Sequence, residues 1–184
     1  MSSKRTLATA LIAGLAALLA ACATPPQPLI LAQPTDPARL AGDWYVIASI
    51  PSTWEAGGYD AKESFAPRSD GKVDTVYSFH ADAGDGPLRS YHTVLTPVGQ
   101  GGVVWRQHYA WPFDRLVPID RDFRIAYLSP DAGQAVIARE DRDYLLILAR
   151  SPKLADADYG QLLNFTTRIG YDASQIKRVP QSAP

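Results

Sequence analysis

Arg39-Leu-Ala-Gly-Asp-Trp-Tyr-Val-Ile-Ala48 is the stretch on which the fold turns. Gly42 lets the chain bend into an extended run with no Cβ in the way. Trp44 follows two residues later and, because side chains alternate along a strand, points to the face that position 42 would occupy. A tryptophan held at the start of a first strand can plug one end of a β-barrel. That reading requires a particular sequel, namely short strands at even spacing, most of them with one apolar face.

The rest of the chain supplies it. Runs rich in β-branched and aromatic residues occur at Trp44–Ile50, Lys62–Phe65, Lys72–His80, Arg89–Thr96, Val103–Ala110, Phe123–Leu128, Gln134–Arg139 and Tyr144–Ala149. Gly, Pro, Asp and Ser punctuate them, as in Pro67-Arg-Ser-Asp-Gly71 and Ala83-Gly-Asp-Gly-Pro87. Eight strands joined by short links predict an up-and-down antiparallel barrel or a sandwich. In the third strand Val73, Thr75, Tyr77 and Phe79 share one face, opposite Asp74 and Ser78; in the fifth, Trp105, Tyr109 and Trp111 oppose Arg106 and His108. Such strands have one face in water. The last two differ: Ala135-Val-Ile-Ala138 and Leu145-Leu-Ile-Leu-Ala149 are apolar on both faces, so something must cover them from outside. A helix over 157–169 is the expected cover. Asp156 reads as its N-cap and Gly170 as its stop, while Tyr159, Leu162, Leu163, Thr166 and Ile169 form one apolar stripe.

The start of the chain has another character. Lys4 and Arg5 precede an uncharged apolar run from Leu7 to Leu19, too short for a comfortable membrane span and patterned as a secretory signal peptide. Leu19-Ala-Ala-Cys22 resembles the bacterial lipobox, which implies cleavage before Cys22 and acylation of its sulfur and new amine. Three acyl chains would anchor the protein firmly, since two lipid signals already suffice. Ala23, rather than Asp, after the cysteine implies by the same resemblance sorting to the outer membrane. Residues 23–38 contain Pro25, Pro26, Pro28, Pro34 and Pro37 and are expected to form an extended, semi-rigid spacer. The chain thus divides into a signal peptide at 1–21, a lipidated cysteine and tether at 22–38, and one domain at 39–184, long enough for a single core. Cleavage would leave 16 of the 18 basic residues against 19 acidic ones, a balance that argues against docking on nucleic acid or anionic lipid.

Gly42-Asp-Trp-Tyr45, Ser69-Asp-Gly71, Trp111-Pro-Phe113, Asp141-Arg-Asp-Tyr-Leu145, Arg150-Ser-Pro152, Gly170-Tyr-Asp172 and Val179-Pro-Gln181 occur in that order. On these residues the chain resembles the lipocalins, and most closely the bacterial outer-membrane (Blc-type) lipocalins, over about residues 37–181. The resemblance implies an all-β fold: an eight-stranded up-and-down antiparallel β-barrel with one C-terminal α-helix packed outside. It also implies that Gly42, Trp44 and Arg150 close one barrel end. A guanidinium stacked on an indole would contribute about 0.5–2 kcal/mol there. The link from Asp114 to Asp122 is longer than the family's usual one.

Chemistry-bearing motifs are sparse. The chain contains neither a nucleophile elbow nor a phosphate loop. His80, His92 and His108 stand in separate strands, the last two on faces read as outward, so no metal site or cofactor is expected. Asp141/Asp143 and Asp156/Asp158 are accounted for by a tight turn and a helix start. The expectation is a binding protein and not an enzyme. An eight-stranded barrel has room for one small ligand. If its inner face is the apolar one, Val46, Tyr77, Phe79, Tyr91, Trp105, Tyr109, Trp111, Tyr127, Ile137 and Leu146 line the pocket.

A buried acyl chain of about 16 carbons gains roughly 12 kcal/mol, against an association cost on the order of 4–15 kcal/mol, so micromolar affinity is reasonable. The resemblance implies fatty acids or lysophospholipids as ligands, tail inside and head at the mouth, for lipid storage, transport or membrane maintenance. The expected partners are that ligand and, through the lipid anchor, the periplasmic face of the outer membrane; a homodimer is left open, and nucleic acid is not expected. Two other readings stand beside this one. One is a tethered interaction module with a filled barrel. The other is a hydrolase, which needs a Ser or Asp beside a pocket histidine.

Overall fold

Gly42–Ile50 forms β1, and its two edges close the sheet. One edge pairs with β2 (Gly58–Pro67), from Gly42 opposite Phe65 to Tyr45 opposite Lys62. The other pairs with β8 (Leu145–Ala149), from Tyr45 opposite Ala149 to Ile50 opposite Leu145. Between them β3 (Val73–Ala81), β4 (Leu88–Pro97), β5 (Val104–Tyr109), β6 (Arg121–Leu128) and β7 (Gln134–Ala138) follow in chain order, each antiparallel to its neighbours. The result is a closed eight-stranded barrel, with the short β9 (Lys177–Arg178) added outside on β1. The protein is seen here as a computed structural model that describes residues 27–99, 101–112 and 121–182. The expected signal peptide, Cys22, Phe113 and most of the long link after Asp114 lie outside the described residues.

The strands fall where alternation and turn residues place them, with shifts of one or two residues at their ends and one longer extension. β2 begins at Gly58, ahead of the expected Lys62, across an irregularity between Tyr59 and Lys62. Glycine is needed at that start, because a Cβ on residue 58 would sit 2.8 Å from the Phe79 ring.

Two apolar clusters share the barrel wall. Trp44, Val46, Phe65, Leu95, Trp105, Phe123, Ile137 and Leu146 are among those turned inward. Val136, Ala138, Leu145, Ile147 and Ala149 turn outward and are covered by the helix α1 (Asp156–Arg168), with Ile169, Tyr171 and Ile176 beyond it. Burying each such side chain contributes about 1.5–3 kcal/mol, which explains why β7 and β8 are apolar on both faces. The helix starts one residue earlier than its sequence suggests. Ala155 takes the N-cap position without a side-chain bond, and Asp156, in the first turn, accepts from Arg178 at 3.0 Å.

The proline-rich segment does not stand free along its whole length. The N–H of Leu29 donates to Glu140 Oε1 at 3.0 Å, that of Ala32 to the Ile125 carbonyl at 2.9 Å, and that of Thr35 to the Gly101 carbonyl at 3.0 Å. Leu29-Ile-Leu-Ala32 breaks the run of prolines with apolar side chains, and Leu29 is buried in the outer cluster. Hydrophobic burial there lays residues 29–35 on the barrel, which shortens the expected spacer.

Candidate functional site

At the end where β1 starts, the Arg150 guanidinium lies 3.8 Å from the centre of the Trp44 ring. Its nitrogens donate to the carbonyls of Asp43 at 2.8 Å, Ala41 at 2.9 Å and Arg39 at 3.3 Å. The indole N–H donates to the Leu40 carbonyl at 2.7 Å, in the short 3-10 turn Pro37–Leu40. Gly42 enters β1 at φ +89°, a conformation that disfavours any side chain. Immediately inside, Phe65 meets Phe123 edge-on at 6.0 Å, and Leu95 and Trp105 are almost fully buried. This end is filled.

The other end is hollow. A cavity of about 390 Å³ lies under the β1–β2 loop, bounded by Trp54 and Glu55 of that loop and by Glu63, Tyr77, Tyr91, Thr93, Gln107 and Tyr109 of β2 to β5. Arg121, Arg139 and Asp143 complete its far wall. A neighbouring groove of about 540 Å³ runs over the rim, walled by Trp54, Tyr91, Tyr109, Ala110 and Trp111 with Ser90 and His92. Trp54, Tyr91 and Tyr109 border both spaces. Trp54 and Trp111 are 73% and 77% exposed, an unusual degree for tryptophan.

The ten expected lining residues separate into four groups. Tyr77, Tyr91 and Tyr109 line the cavity, and Trp111 lines the groove beside it. Val46, Phe79, Trp105, Ile137 and Leu146 face inward but are packed as core and bound neither space. Tyr127 is not inside the barrel at all. An irregularity between Ile125 and Tyr127 breaks the alternation of β6, so Tyr127 turns outward and its ring packs 5.6 Å from that of Phe165 on α1.

Polar residues that strand patterning alone did not single out form the inner wall. Arg139 Nη2 donates to Gln107 Oε1 at 3.4 Å, and Gln107 Nε2 donates to Thr93 Oγ1 at 3.2 Å. Thr93 and Thr75 share a hydroxyl bond of 2.6 Å, and the Thr75 side chain bonds Glu63. Glu63 is only 2% exposed. Burial, and secondarily the charge of Glu55, push its carboxyl up to about 8, so it is neutral at pH 7. Glu55 is also raised by burial, opposed by its bonds to Ser52, by Arg139 and by Tyr144. Arg139 lies 4.2 Å over the Tyr144 ring, and its buried Nε has no hydrogen-bond partner among the described residues. Tyr171, beyond α1, fixes this corner: its hydroxyl accepts from the Arg139 N–H at 3.0 Å and donates to the Tyr144 carbonyl at 2.9 Å.

Histidine takes no part in the cavity wall. His80 Nδ1–H donates to the Gly86 carbonyl at 2.7 Å, and His92 borders the groove. Among the described residues, no three His, Cys, Asp or Glu side chains are grouped to hold a metal ion.

A family model described as a lipocalin-like domain matches residues 35–181. Temperature-induced lipocalin-1 of Arabidopsis thaliana is 28% identical over 145 residues, covering 78% of each chain. Outer membrane lipoprotein Blc of Escherichia coli K12 is 27% identical over 170 residues, covering 89% of this chain and 90% of Blc. Among solved structures, insecticyanin of the tobacco hornworm Manduca sexta superposes with a TM-score of 0.64 at 15% identity, covering 87% of both chains. Apocrustacyanin C2 gives 0.59 at 15% identity, covering 87% of this chain and 94% of its own.

Proposed function

The chain belongs to the lipocalin family, and we propose that it is an outer-membrane lipoprotein, facing the periplasm, whose open barrel end binds single-chain lipids. Fatty acids or lysophospholipids are the ligand class, held for storage, transport or membrane maintenance. One observation carries the reading: the hollow end joins a cavity to an aromatic groove, each within the roughly 300–1,000 Å³ of small-molecule sites. The lipocalin fold suits a small hydrophobic ligand. Attachment through Cys22 is supported by its lipobox-like setting and by similarity to relatives named outer membrane lipoproteins. No bond is made or broken in this function.

The test uses the chain from residue 23, which retains every described residue. Titration with a lysophospholipid or a fatty acid should shift the emission of Trp54 and Trp111 to the blue, saturably and in the micromolar range. No saturable change, together with no lipid in native mass spectra, would refute lipid binding. Cys22→Ser should abolish labelling by radioactive palmitate and release the protein from membranes; a labelled, membrane-bound variant would refute the anchor.

A further inference from the structure

A hydrocarbon tail is poorly matched to the deepest part of the cavity. Glu63, Thr93 and Gln107 form its inner wall and Arg139 its side, so a tail laid there would cover polar groups with methylenes. The apolar surface lies at the rim, between Trp54 and Trp111. We infer that the ligand is held head-in: the carboxylate of a single-chain amphiphile enters the barrel toward Glu63, Gln107 and Arg139, and its tail leaves over the rim through the aromatic groove. This rests on the proposed lipid-binding function and reverses the tail-in placement expected from sequence.

The polar groups of this wall are bonded to one another in one direction, ending on Glu63. Arg139 donates to Gln107, Gln107 to Thr93, and the hydroxyls of Thr93 and Thr75 can pass the same sense on to Glu63. The Arg139 Nε–H has no acceptor among the described residues and is buried from the cavity as well, so it is the outer nitrogens of the guanidinium that face a ligand. Neutral Glu63, which also lines the cavity, carries one proton that it can donate to a ligand. The charged groups facing the space are Arg121 and Arg139 against Glu55 and Asp143, with Arg121 3.5 Å and Arg139 4.0 Å from Asp143. Tyr77, Tyr109 and Tyr144 are pushed up by burial, and Tyr91 also faces the cavity. Of these groups Glu63 is the one whose ionisation near pH 8 would set a new negative charge beside a bound carboxylate. The tail then has a continuous exit, because Trp54, Tyr91 and Tyr109 border cavity and groove alike.

Three probes separate the orientations, offered to the chain from residue 23: dodecanoic acid, its methyl ester, and the acid with a bulky fluorophore on its ω carbon. Near neutral pH the free and ω-labelled acids should bind within about twofold of each other, and the ester about tenfold more weakly or worse. Raising the pH through Glu63's value of about 8 should weaken acid binding severalfold, and Glu63→Gln should remove that pH dependence. An ester that binds as well as the acid, with the ω-labelled acid excluded, would overturn the head-in placement and leave lipid binding intact. An unchanged pH dependence in Glu63→Gln would overturn the part given to Glu63. Failure of all three probes to bind would overturn the orientation and the proposed function together.

Discussion

The two ends of the barrel are made from the same strands and differ in what each strand sends inward. From the Trp44 end toward the mouth, β4 presents Leu95, Thr93 and Tyr91; β5 presents Trp105, Gln107 and Tyr109; β2 presents Phe65 and then Glu63. Large apolar side chains fill the lower tier. A belt of hydroxyl, amide and carboxyl groups lies above it, and tyrosines stand at the rim. The lower tier therefore sets stability, and the belt gives up some of that stability to make a chemically specific floor.

Replacing the plug should have the largest effect. Trp44→Ala removes a fully buried indole and the surface on which Arg150 stacks, so it should cost about 3–5 kcal/mol, read from the urea midpoint at unchanged m-value. A loss below about 1 kcal/mol would mean that the lower tier is not what holds the barrel.

Glu63→Gln should act in the opposite sense, and only above acid pH. Between the ordinary value of 4.5 and the folded value of about 8, the folded chain keeps a proton that the unfolded chain has released. Wild-type stability therefore falls as pH rises through that window and levels off above it. The glutamine variant escapes the fall, so it should exceed wild type by up to about 5 kcal/mol above pH 8, the gap narrowing toward pH 4.5. A gap that widens on acidification would contradict a buried neutral carboxyl.

Tyr171→Phe tests the support of the hollow end. Loss of the hydroxyl that bridges Arg139 and Tyr144 should cost about 1–2 kcal/mol in thermal unfolding and weaken fatty-acid binding as well. Trp54→Ala should cost the fold least, within about 0.5 kcal/mol, while reducing ligand affinity. Equal stability losses from Trp44→Ala and Trp54→Ala would erase the distinction between the ends.

Most of the architecture was legible in the sequence because burial imposes a period. Alternation placed Val46, Tyr77, Tyr91, Trp105, Tyr109, Ile137 and Leu146 on inward faces, and two-sided hydrophobicity called for the outer helix. Period two says which face a residue takes but nothing about its height in the barrel, so core and cavity wall were not separated. It also fails at an irregularity, as Tyr127 shows. Two members of the belt left a signal, since Glu63 sits between Ala61 and Phe65 and Gln107 between Trp105 and Tyr109, polar steps in inward rows. Glu55, Arg121 and Arg139 left none. They belong to loops and strand ends, where only the closed fold brings them together.

The division of the lumen is tested most directly by fluorescence quenching with a fatty acid brominated along its tail. With the tail in the rim groove and the lower tier filled, the bromines should quench Trp54 and Trp111, and Trp54→Phe/Trp111→Phe should show almost no quenching. Strong residual quenching in that double variant, from Trp44 or Trp105, would place the tail deep in the barrel and contradict the account.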